Sequence, residues 1–112
     1  MLDLHETDFD LQIARGVFIV DFSAEWCPPC RALKPMLERA AADFAGEATF
    51  AEVDAERNGQ LLVRFGIMAL PTIIVFRDGQ PVHAIRGLRD EKSLLAEIQT
   101  AIQHTVHTGV SQ

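Results

Sequence analysis

The chain holds two cysteines, Cys27 and Cys30, inside the stretch Val20-Asp21-Phe22-Ser23-Ala24-Glu25-Trp26-Cys27-Pro28-Pro29-Cys30-Arg31. On a helix, residues three apart lie one turn above each other, so Cys30 is close enough to close a disulfide on Cys27. Such a pair can also be half of a zinc site, or two inert core residues. A structural zinc usually takes four Cys or His ligands. The four histidines, His5, His83, His104 and His107, lack zinc-knuckle spacing. A redox dithiol is the leading reading, with the metal and inert readings behind it.

The flanking segments say how the pair is presented. Val17-Phe18-Ile19-Val20 is an apolar run of buried-strand type. Leu33, Met36, Leu37, Ala40, Ala41 and Phe44 recur with helical period. Cys27 therefore falls where a strand's carboxyl end meets a helix's amino end. Unpaired N–H groups and the positive end of the helix dipole gather there and favour an anion. In such a place a thiol pKa drops from about 8.5 into the range of roughly 3.5 to 7.5. Asp21 stands out for the opposite reason. It is an acid in an apolar run on a predicted central strand, where an unpaired carboxylate is costly. A raised pKa and a working role are expected of it; the alternative is an aspartate at a strand bulge facing water.

A chain of 112 residues predicts a single domain, 1–112. Its 48% hydrophobic content fills a core without disulfide staples, and two cysteines are too few for a secreted disulfide framework. The net charge of −6, with ten basic residues scattered along the chain, argues against nucleic acid or an anionic membrane as partner. The acidic start, Met1 to Glu6, has neither a basic nor an apolar region of a signal peptide. No apolar run approaches the roughly 20 residues of a membrane span. The expected location is the cytoplasm.

The order of elements follows from periodicity and punctuation. Leu2 and Leu4 allow a short strand. Thr7 or Asp8 caps a helix carrying Phe9, Leu11, Ile13 and Ala14 and ending at Gly16. The strand 17–22 comes next, then a helix from Pro28 to Phe44, in which Pro35 removes a hydrogen bond and kinks the axis. A strand over 49–53, a short helix from Asn58 or Gly59 to Gly66, and a strand over 72–76 follow. Asp78-Gly79 turns the chain into a last strand at 81–85, whose opening Pro81 suits an edge. Asp90 caps a final helix with Leu94, Leu95, Ile98, Ala101 and Ile102 on one face, and 105–112 reads as a flexible tail. The expected fold is α/β: one central five-stranded mixed sheet flanked by four helices.

With these elements in place the chain resembles the thioredoxin family over nearly its whole length. The likeness is carried by Val20-Asp21-Phe22, Ala24-Glu25-Trp26-Cys27, Pro29-Cys30, Pro35, Phe65-Gly66-Ile67, Leu70-Pro71-Thr72, Asp78-Gly79 and Gly87. The resemblance implies a thiol–disulfide oxidoreductase that reduces protein disulfides. Cys27 is then the nucleophile, Cys30 the resolving thiol, and Asp21 the acid that assists proton transfer for Cys30. Pro71 is the cis-proline facing the dithiol, a role that needs proline. Leu70 exposes its backbone to an extended substrate, and Trp26, Pro28, Pro29 and Gly87 complete the docking surface. The same resemblance implies disulfide-containing protein substrates, a flavoprotein thioredoxin reductase, a monomer, and no cofactor beyond the redox-active Cys27–Cys30 disulfide.

Three positions depart from the family pattern. Pro28 replaces a glycine, giving a Cys-Pro-Pro-Cys motif similar to that of periplasmic reductases serving cytochrome c maturation. Ser23 stands where many members have a second tryptophan, and Glu52 where a lysine is usual. A dedicated electron carrier for one partner is therefore the first alternative. A non-catalytic binding module and a metal or cluster shared between two chains are the others. Glu52 either shares a poorly solvated region with Asp21, so that the two titrate together, or points into water.

Overall fold

The computed structural model describes residues 1–110, with side chains through residue 104. Its strands are β1 (Leu2–Asp3), β2 (Val17–Ser23), β3 (Thr49–Asp54), β4 (Thr72–Arg77) and β5 (Gln80–Arg86). Its helices are α1 (Phe9–Gln12), α2 (Pro28–Asp43), α3 (Gly59–Arg64) and α4 (Glu91–Val110). The strands form one mixed sheet in the order β1-β3-β2-β4-β5. β3 runs parallel to both β1 and β2, while β4 is antiparallel to β2 and to β5. β2 is thus the central strand, and β5 lies at an edge, as its proline required.

Side chains alternate across a strand, so β2 feeds two cores. Val17 and Ile19 face α2 and α4, joining Leu33, Leu37, Ile73, Val75, Leu94 and Ile98. Phe18, Val20 and Phe22 face the other way, joining Phe9, Leu61 and Phe76. The rings of Phe9, Phe65 and Phe76 meet at 5.3–5.5 Å on that second face. By the same alternation Asp21 points to the first face, under α2, where nothing else in β2 is charged.

The turn from β4 to β5 is tight because Asp78 and Gly79 both have positive φ, 49° and 84°. A two-residue loop of that handedness matches the twist of the strands it joins. The Asp78 side chain also accepts a bond of 2.7 Å from the Gly16 amide. At the other end, Asp90 accepts from the Ser93 amide at 3.0 Å and begins α4. Glu97 of α4 holds both His83 and Arg89, each at 2.9 Å, and so ties the helix to β5.

Several boundaries differ from expectation, most of them by a residue or two. α1 covers four residues only, because Ile13 leaves helical geometry and is buried as the chain bends toward Gly16. α2 continues through Pro35 as one helix and stops one residue short of Phe44, which caps it. β5 begins at Gln80 and extends to Arg86. The stretch 105–110, read as flexible tail, is helical backbone at the end of α4; residues 111 and 112 lie outside the described residues. Among the described residues no helix is long and apolar enough to cross a membrane.

Candidate functional site

β2 delivers the chain to Ala24, and α2 begins at Pro28, so Cys27 is the N-cap residue of α2 with extended backbone (φ −94°, ψ 111°). An N-cap side chain normally receives one of the helix's unpaired N–H groups. Here the sulfur does so: the Cys30 amide donates to Cys27 Sγ at 3.4 Å. Pro28 and Pro29 fill the first two helical positions, where the missing N–H costs no helical bond. Both are exposed, and Trp26 beside them is 62% exposed. The two thiols are free and lie one turn apart.

Neither thiol is open to solvent. Cys27 is 5% and Cys30 is 3% exposed, so the two sulfurs do not differ in surface area. They differ in what surrounds them. Burial pushes the Cys30 thiol up to about 12, and the neighbouring Cys27 sulfur and the Asp21 carboxylate add to the rise. Cys30 is therefore held as a thiol, while the helix amino terminus points its N–H at Cys27.

The segment before β4 closes the site from the other side. Leu70–Pro71 is a cis peptide. Leu70 packs against the small cluster of Ala24, Cys27 and Cys30, and its carbonyl oxygen lies 4.0 Å from Cys27 Sγ. Pro71 itself is buried, and its carbonyl accepts from the Gly87 amide at 2.9 Å. Gly87 has φ +83°, a conformation L residues rarely take, and so the loop after β5 bends back over Pro71. The residues proposed from sequence as a docking surface are thereby gathered about one dithiol.

Asp21 sits beneath this cluster, 1% exposed. Neither carboxyl oxygen has a hydrogen-bond partner. Burial first and then the Glu52 charge push its pKa up, the neighbouring Ser23 side chain and the Lys34 ammonium pull it back, and the net result is a rise from 3.8 to about 7. Glu52 is the register partner of Asp21 on β3, facing the same side of the sheet, so it does not simply point away into water. It is also not left as a bare like charge, because Lys34 of α2 reaches it at 3.3 Å.

Sequence reasoning missed Lys34, Met68 and Leu88. Lys34 follows Cys30 by four residues, the helical spacing that puts it on the same flank and over β3. Met68 is 95% exposed two residues before Leu70, and Leu88, 45% exposed, follows Gly87. An apolar residue on either side of a predicted docking loop was the available signal. Among the described residues no group of three or more His, Cys, Asp or Glu side chains is placed to hold a metal ion.

Comparison with known proteins agrees with this geometry. The thioredoxin family model matches residues 1–100. Thioredoxin of Staphylococcus aureus is 40% identical over 89 residues, which cover 80% of this chain and 86% of that protein. Among solved structures, a mutant thioredoxin from Halobacterium salinarum NRC-1 superposes with a TM-score of 0.79 at 32% identity, covering 90% of this chain and 89% of that one.

Proposed function

The chain belongs to the thioredoxin family and is a thiol–disulfide oxidoreductase, and from that premise we propose that it reduces protein disulfides with Cys27 as nucleophile and Cys30 as resolving thiol. The observation that carries the assignment is the 3.4 Å contact from the Cys30 amide to Cys27 Sγ at the helix amino terminus. A sulfur anion formed there is met by an N–H and by the positive end of the dipole.

The reaction balances within the site. Cys27 thiolate attacks a substrate disulfide, forming a mixed disulfide and releasing one substrate thiolate. The Cys30 thiol passes its proton to Asp21, and its sulfur attacks Cys27 Sγ. The Cys27–substrate bond breaks, the second substrate sulfur leaves and takes a proton from water, and a Cys27–Cys30 disulfide remains. Two electrons have passed to the substrate. Asp21 suits the acceptor role because a carboxyl with a pKa near 7 can take and give a proton at neutral pH. Leu70 offers its backbone to the substrate segment, Trp26, Pro28, Pro29 and Gly87 form the rim on which it rests, and the buried Pro71 holds the Leu70 backbone from behind.

No further cofactor enters this cycle; the Cys27–Cys30 disulfide carries the electrons until a flavoprotein reductase of the thioredoxin reductase type restores the dithiol. The protein acts as a monomer in the cytoplasm, the compartment that keeps such dithiols reduced. The test is trapping. Cys27→Ser abolishes reduction of a protein disulfide, whereas Cys30→Ser accumulates a mixed disulfide visible by mass spectrometry. Turnover by Cys27→Ser, or trapping on the Cys27→Ser protein instead, would overturn the assignment.

A further inference from the structure

Beside the dithiol a cleft of about 570 Å³ opens between α2 and the ends of β2 and β3. Ser23, Cys30, Lys34 and Glu52 line it, and Asp3, Glu25, Arg31 and Asp54 complete its charged wall. Asp21 does not reach it, being 1% exposed. Glu52 belongs to both places, since it lines the cleft and is the register neighbour of Asp21 on the same face of the sheet. Lys34 fixes it there from the helix that carries Cys30, with Nζ to Oε1 at 3.3 Å.

We infer that Lys34 and Glu52 form a positioning pair for the resolving step: Lys34 holds the Glu52 carboxylate between Asp21 and the cleft, and the pair sets the pH at which Asp21 can accept the proton of Cys30. The inference rests on the dithiol reading above and adds to it two residues outside the dithiol, one acid and one base. The groups facing Asp21 are few. From β3 comes Glu52, from α2 Cys30 and Lys34, from its own strand Ser23, and from β4 the neutral Ile73. Asp3 on β1 and Glu38 on α2 act on Lys34. Glu52 and Lys34 thus exert opposite fields on one buried acid, Glu52 favouring the protonated form and Lys34 the ionised form. Removing either charge must move Asp21 in opposite directions, which mere loss of an ion pair would not do.

The experiment follows the Asp21 carboxyl carbon by NMR titration, with the pH dependence of a single-turnover protein-disulfide reduction, in Glu52→Gln, Lys34→Met and the double variant. In Glu52→Gln the Asp21 midpoint falls by roughly one pH unit, and in Lys34→Met it rises by a smaller amount. The double variant lies between the single ones. The pH profile of the resolving step moves with the midpoint in each protein, and this displacement disappears when Asp21→Asn is added. Midpoints that stay fixed, or move the same way in both single variants, overturn the inference while leaving the dithiol assignment intact. If Asp21→Asn alone leaves the rate and its pH profile unchanged, the proton-acceptor reading of Asp21 fails, and the positioning role falls with it.

Discussion

Replacing Asp21 by asparagine should stabilise the reduced protein, by an amount that grows with pH. The carboxyl lies in the core with no partner for either oxygen, and its pKa rises from 3.8 to about 7 on folding. An acid with a raised native pKa holds its proton more tightly folded than unfolded. Below 3.8 both states carry the proton and the acid adds no penalty. Between 3.8 and about 7 the unfolded chain binds fewer protons, so stability falls as pH rises, and above about 7 the whole penalty stands. At about 1.4 kcal/mol for each tenfold change in proton affinity, the full penalty is about 4 kcal/mol, of which about 3 kcal/mol builds up between about pH 5 and pH 9. Asparagine has the same shape and no charge to desolvate, so its advantage over the parent should widen by that amount. The assay is urea unfolding of both proteins in reductant across that range. Carboxyls with lowered pKa values, Asp10, Asp90, Glu91 and Glu97, act alike in both and cancel in the difference. A difference that is constant with pH, or that shrinks as pH rises, would refute the reasoning.

Two further substitutions separate stability from docking. Phe76 is fully buried against Phe9 and Phe65, and Phe76→Ala should cost about 3–5 kcal/mol in urea unfolding; a loss below about 1 kcal/mol would mean that the ring cluster does not support this face of the sheet. Trp26 is 62% exposed, so Trp26→Ala should change stability by no more than about 0.5 kcal/mol. Its kcat/KM toward a protein disulfide should nevertheless drop about tenfold, or about 1.4 kcal/mol of docking. An equal drop toward a small disulfide such as hydroxyethyl disulfide would contradict a docking role.

The parts of the molecule legible in the sequence are those whose cause is local. β2 and β4 are runs of branched and aromatic residues that no polar residue but Asp21 interrupts, and they formed with boundaries moved by a single residue. The tight turn at Asp78 and Gly79 follows from a residue pair that tolerates positive φ between two strand-like runs. The placing of Cys27 at a helix start is equally local. α1 was overestimated because its apolar residues continue to Ala14, whereas the need to bend into β2 stops the helix at Gln12. The burial of Cys27 was also hidden, since Leu70, forty-three residues away, supplies the cover. Glu52 shows the limit most clearly. Its strand register could be guessed, but the cation that meets it comes from another element, and only packing α2 onto the sheet brings Lys34 to it.

The two prolines between the cysteines have a kinetic consequence. Each ring fixes φ near −65°, so the connection from Cys27 to Cys30 has little freedom to lose when the sulfurs join. In the proposed cycle Cys30 is then presented to the mixed disulfide on Cys27 at high effective molarity; well-oriented intramolecular reactions reach about 10⁵–10⁸ M. No free thiol in a cell approaches such a concentration, so the partner tethered to Cys27 is released by its own neighbour before an outside thiol can intervene. On that mechanism Pro28 and Pro29 would shorten the life of the covalent complex, so that each encounter ends in transfer of both electrons rather than in a lingering adduct.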